Sequence, residues 1–166
     1  MSFFASFEDC KRLNSYLHAD TYYQQTKPIR GKTHLNYRPL RSNRRDHSFK
    51  ALHLREDSSG NKYYAAKLYN TDLIEYHLDH IVLNTATTWY SRSTQEFFNA
   101  VLPHWVNVIV HKENFWVSVS GSPYFIPNKS TKLRINVDGS NGYRPLKQEV
   151  SAMQVHMRRV NRKQAN

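Results

Sequence analysis

From Phe49 onward the chain breaks into short runs in which apolar and polar residues alternate, each cut by turn chemistry. "FKALHLRE" meets Asp57-Ser58-Ser59-Gly60-Asn61 and returns as "KYYAAKLYN"; "TDLIEYH" and "HIVLNT" flank Leu78-Asp79. "WVNVIVH" and "FWVSVSG" flank Lys112-Glu113-Asn114, and "KLRINVDG" supplies one more run. A period of two buries one face of a strand, and runs this closely spaced pair as hairpins. Parallel neighbours need crossovers of about a dozen residues or more, which these turns do not provide. The pattern therefore predicts a mainly antiparallel sheet of about six or seven strands.

Helical spacing brackets those strands. In "ASFEDCKRLNSYLHAD", Phe7, Cys10, Leu13 and Leu17 fall on one helix face, with Ser6 placed to cap and Asp9 three residues on. In "SRSTQEFFNAVLP", Ser93 and Glu96 suit a capping box and Pro103 a stop, giving a short helix near 94–102. In the last segment Val150, Met153, Met157 and Val160 share a helical face while Arg158, Arg159, Arg162 and Lys163 project elsewhere. Residues 21–48 hold no sustained period and are punctuated by Pro28, Gly31 and Pro39, which reads as a loop-rich arm. The expectation is one α+β domain over 1–143 and a basic C-terminal helix or tail over 144–166. A chain of 166 residues suits one such domain better than two.

Several function classes are excluded or disfavoured. One cysteine, Cys10, makes neither an intrachain disulfide nor a multi-cysteine zinc site, and reads as a small core residue. Five glycines leave little material for a phosphate-cradling loop. No apolar run approaches the roughly 20 residues that span a bilayer. The start, "MSFFASFEDCKRL", carries acids where a signal peptide carries bases, so the expected location is intracellular. No cofactor, no metal and no membrane partner are expected.

Charge is more informative. The chain carries a net +11, and the excess is segregated. Residues 27–67 hold eleven Lys/Arg against three Asp/Glu, and residues 144–166 hold six against one. A polarised basic protein reads as a surface for a polyanion. The arm interleaves tyrosines with cations, and guanidinium forks grip phosphates while rings stack on unpaired bases. The candidate binding residues are Arg30, Lys32, Tyr37, Arg38, Arg41, Arg44, Arg45 and Lys50, joined by Arg158, Arg159, Arg162 and Lys163.

Catalytic chemistry is less well supplied. His34, His47 and His53, with Arg44 and Arg45, have the residue types of a metal-independent RNase, in which histidines move the protons and cations hold the phosphorane. His77 and His80 face each other across an expected turn, with no carboxylate motif converging on them by spacing. Nucleophile elbows, phosphate loops and His-Glu-x-x-His are absent from the sequence.

The segment "LYNTDLIEYHLDHIVLNTATTWYSRSTQEFFNAVLP", residues 68–103, resembles an element of small uncharacterised proteins of tailed bacteriophages. The matching residues are Asn70, Thr71, Asp72, Ile81, Leu83, Asn84, Thr85, Trp89, Thr94, Asn99 and Leu102-Pro103. Leu78-Asp79 stands where that pattern has Asp-Gly, and Thr87-Thr88 where it has Gly-Gly. The resemblance implies a phage protein acting in the cytoplasm of a bacterial host, and implies no activity. Three readings follow: a non-enzymatic accessory protein that binds nucleic acid or a nucleoprotein complex; an anti-defence inhibitor of a host protein or nucleoprotein complex; and an RNase.

One four-residue word recurs. Tyr-Arg-Pro-Leu occupies both 37–40 and 143–146, each time at the start of a basic stretch. Nothing around the two copies matches, so duplication is rejected. Each copy reads as extended backbone held open by proline, with Tyr and Leu packing down and Arg facing out.

Overall fold

The computed structural model describes residues 10–29, 36–40, 50–86, 91–141 and 143–147. These form a single α+β domain with two helices, a seven-stranded antiparallel sheet and a two-stranded hairpin. In chain order the elements are α1 (Tyr16–Gln25), β1 (Arg38–Pro39), β2 (Lys50–Glu56), β3 (Lys62–Leu68), β4 (Thr71–Tyr76) and β5 (His80–Leu83). Then come α2 (Arg92–Val101), β6 (Val106–His111), β7 (Asn114–Val119), β8 (Leu133–Asp138) and β9 (Arg144–Pro145). The large sheet runs β1-β2-β3-β4-β5-β8-β9, while β6 and β7 form a separate hairpin, with Phe125 bridged to Val117 of β7.

The long strands fall where alternation placed them, because each has one face to bury. Leu52, Tyr64, Ala66, Ile74, Tyr76, Ile81, Leu83, Ile135 and Val137 are all buried and line one side of the sheet. Against that side pack α1, α2 and the β6–β7 hairpin, with Phe98 of α2 edge-on to Phe115 of β7 at 5.7 Å. The fully buried Tyr76 ties three parts together: its hydroxyl donates to Leu13 O and lies 3.2 Å from Val101 O.

Two local devices complete the hairpin. Asn99 of α2 lays its amide along β6, donating to Val108 O at 2.6 Å and accepting from Val108 N at 2.9 Å. Gln95 Oε1 accepts from Val110 N one turn earlier, so the helix supplies the hydrogen bonds a further strand would make. The β6–β7 turn is Lys112-Glu113, both at positive φ (50° and 61°), the geometry of a two-residue primed turn made without glycine.

The helix expectations need correction. The first helix begins at Tyr16, capped by Ser15, whose hydroxyl accepts from His18 N, and residues 10–14 before it are not helical. It runs on to Gln25, into what sequence assigned to the arm. Leu17, expected on the apolar face, is 66% exposed, whereas Leu13 is buried from the segment ahead of the helix. Ser91 rather than Ser93 caps α2, accepting from Thr94 N at 3.2 Å. Cys10 is half-buried and packs against the core. Ser6, Trp89 and the residues of the expected C-terminal helix lie outside the described residues, although the start of the expected tail forms β9.

Candidate nucleic-acid interface

Strand alternation that fills one side of the large sheet with apolar groups fills the other with rings and charges. Cross-strand register builds that outer face row by row. Arg55 lies opposite Tyr63, and Tyr64 pairs with Tyr76, Tyr76 with Ile81 and His80 with Asn136. The next residues along, Tyr63, His77 and His80, therefore meet side by side. Tyr63 stacks on His77 at 4.4 Å and His77 on His80 at 4.1 Å, a three-ring ladder spanning β3, β4 and β5. Towards the β1 edge, Tyr37 meets His53 edge-on at 5.3 Å and holds the Lys67 ammonium 4.8 Å from its ring centre.

Carboxylates converge on these histidines, contrary to the expectation from spacing. Glu75 Oε1 accepts from His77 Nε2 at 2.9 Å, and Asp79 Oδ1 from His80 Nδ1 at 2.6 Å. Asp72 accepts from both His53 Nε2 (2.7 Å) and Arg55 Nε (2.6 Å). The signal was present as Glu75-x-His77, a pair on the same side of one strand, and as the neighbours Asp79 and His80. Arg55, Lys132 and Arg134 bring the cations.

These contacts set the protonation states. Burial works to raise the Asp72 and Glu75 carboxyls, but their hydrogen bonds and cationic neighbours outweigh it and hold both below the usual range. Asp79 is held down chiefly by its hydrogen bond to His80. Burial in turn lowers His80, opposed by the Asp79 bond and reinforced by His77 and Arg134. Among the described residues, no three His, Cys, Asp or Glu are placed to hold a metal ion.

The residues expected to bind are distributed unevenly. Tyr37 lies on the outer face, half-buried. Arg38 turns to the other side, its Nε donating to Tyr23 O at 3.1 Å and its guanidinium 4.0 Å from the centre of that ring. It clamps α1 to the sheet instead of facing out. Lys50 is 2% exposed and shares the core-facing side of β2 with Leu52, which withdraws it from the surface. Arg30, Lys32, Arg41, Arg44, Arg45, Arg158, Arg159, Arg162 and Lys163 lie outside the described residues, as do His34 and His47. Sequence reasoning missed Lys132 and Arg134 as part of this surface, because β8 joins β5 across fifty positions of chain.

The described chain leads into its two basic stretches from opposite places. Residues 41–49 follow β1, the edge strand at one side of the sheet, and residues 148–166 follow β9, the edge strand at the other. At about 4.8 Å per strand, the six spacings separate those edges by roughly 29 Å. Both edge strands are the Arg-Pro of the repeated Tyr-Arg-Pro-Leu word. Only the two Arg-Pro pairs are extended as expected, since Tyr143 sits at positive φ (62°), and the copies pack differently: Leu40 is buried and Tyr37 half-buried, whereas Tyr143 is buried and Leu146 is exposed.

No family model, no curated protein and no solved structure matches the chain. Among the described residues, no helix is long and apolar enough to cross a membrane.

Proposed function

We propose that this chain is a non-enzymatic binding protein that takes nucleic acid, alone or in a nucleoprotein complex, across the outer face of its large sheet. One observation carries the reading: rings and cations from neighbouring strands share the outer face of the sheet, the Tyr63–His77–His80 ladder lying beside Arg55, Lys132 and Arg134. A strand of nucleic acid lying across the sheet meets these cations beside the aromatic edges. Phosphate contacts supply affinity, and the rings favour unpaired bases over a duplex. The phage resemblance over 68–103 supplies the setting, the cytoplasm of an infected bacterium.

The test is a binding titration with generic single- and double-stranded DNA and RNA over a range of salt. Retention should fall steeply with salt, and replacing Arg44 and Arg45 by Ala should flatten that slope by about one phosphate contact each. Absence of binding to every nucleic acid at low salt overturns the reading.

One observation favours a second reading, an inhibitor that docks on a host protein or nucleoprotein complex. Arg55, Lys132 and Arg134 each face a carboxylate of this same chain, a mixed-sign pattern that suits a protein surface as well as phosphates. A pull-down from bacterial lysate separates the two: nuclease treatment abolishes recovery of a nucleic-acid-dependent partner and leaves a directly bound protein in place.

A further inference from the structure

Three carboxylates on the outer face are each shared between a histidine and a cation. Asp72 lies 2.7 Å from His53 and 2.6 Å from Arg55; Glu75 lies 2.9 Å from His77 and 3.0 Å from Lys132. Asp79 lies 2.6 Å from His80, with Arg134 at 4.0 Å. With the histidines neutral, three anions offset three cations and the centre of the face offers a phosphate little net attraction.

Protonation breaks that balance. Histidine is the side chain whose ordinary titration falls between about pH 5 and 8. The carboxylates stay ionised through that window, being held below their usual range by the same contacts. Each proton taken up therefore appears as net positive charge. The other groups facing the cluster change this little. Lys67 of β3 is already a cation, Tyr37 lies edge-on to His53, and burial lifts the Tyr63 hydroxyl further above the window. Asp57 of the β2–β3 turn lies within electrostatic reach of His77, and Asp138 and Arg144 stand opposite each other at the β8–β9 end. Neither Asp57 nor Asp138 belongs to the three shared triplets.

We propose that the outer face binds protons and polyanion together, so that mild acid strengthens nucleic-acid binding through His53, His77 and His80. This rests on the binding reading above and adds its regulation. The energetic logic is linkage: burial of His80 resists charging in the free protein more than the Asp79 bond favours it, and an arriving phosphate adds further counter-charge. His77 and His80, partly open to solvent, each add one site for phosphate neutralisation when protonated, while His53 is buried and adds charge beneath the face. At about 0.7 per phosphate for single strands and 0.9 for duplex, two such sites steepen the dependence of log K on log salt by about 1.4 to 1.8.

The experiment measures binding of a labelled oligonucleotide by fluorescence anisotropy across salt at about pH 7.5 and about pH 5.5. The expected result is a steeper slope at the lower pH, lost stepwise in His53→Gln, His77→Gln and His80→Gln. As a measurement on the unaltered protein, calorimetric titration near pH 6 in buffers of different ionisation enthalpy counts the protons taken up on binding. Binding with the same slope at both pH values and no proton uptake overturns this proposal and leaves the binding reading intact. Absence of binding at either pH overturns both.

Discussion

Pro39 and Pro145 stand on the two opposite edge strands of the seven-stranded sheet, in equivalent positions. Pro39 lies opposite Ala51 and is followed by Leu40 N donating to Lys50 O; Pro145 lies opposite Val137 and is followed by Leu146 N donating to Asn136 O. Since hydrogen-bonded and non-bonded positions alternate along an antiparallel ladder, each proline nitrogen points away from the sheet. At the half-buried Pro145 an incoming strand would need an N–H and finds none, whereas Pro39 is buried and its carbonyl already accepts from the Tyr22 hydroxyl.

Restoring that donor tests the role. Pro145→Val should cost no more than about 1 kcal/mol of stability, mainly by freeing the unfolded chain. It should also raise the self-associating fraction in sedimentation velocity at high protein concentration. Unchanged sedimentation in Pro145→Val removes edge protection from the account.

Asn99 replaces a strand at the edge of β6. Truncation to Ala leaves Val108 N and Val108 O without their partner, at a cost of about 2–3 kcal/mol by urea denaturation. A loss below about 0.5 kcal/mol would mean that water substitutes freely there.

The Lys112-Glu113 turn stores strain that glycine and asparagine relieve. Both residues sit in the left-handed region, which costs non-glycine residues of the order of 1 kcal/mol each. Lys112→Asn with Glu113→Gly should therefore raise stability by about 1–2 kcal/mol while leaving the register His111 to Asn114 unchanged, read by thermal unfolding and cross-strand amide NOEs.

Acid should destabilise the fold in two stages. His80 has its pKa lowered in the folded state, so the fold loses stability as pH falls through histidine's ordinary value near 6.5. Asp72 and Glu75 have folded values below their unfolded ones, so their contribution is full above about pH 5 and is lost as pH falls through the folded values. Urea midpoints against pH should show both limbs. His80→Gln should flatten the upper one and Asp72→Asn the lower; a lower limb unchanged in Asp72→Asn contradicts the assignment.

The sequence made the strands legible where alternation and turn chemistry agree, as in Lys50–Glu56 and Lys62–Leu68 around Asp57-Ser58-Ser59-Gly60-Asn61. It misplaced the first helix because Phe7, Cys10, Leu13 and Leu17 fit a helical face, while the true helix, "YLHADTYYQQ", has almost no apolar stripe to read. The candidate surface was half visible. Tyr37 and the basic stretches can be picked out by composition, but the ladder Tyr63–His77–His80 exists only once register is known. Register across β5 and β8 is a long-range choice decided by burial of Ile81 and Ile135, not by any local signal.

That same β5–β8 pairing orders the folding reaction. The β2–β5 meander closes only short loops, whereas seating β8 beside β5 requires residues 84–132, with α2 and the β6–β7 hairpin, to leave the sheet and come back. Closure entropy is spent before that contact repays it, so the pairing should form last, after the folding barrier has been crossed in the meander. Substitutions in the meander should alter how fast the chain folds, and substitutions at Leu133 to Asp138 how fast it comes apart.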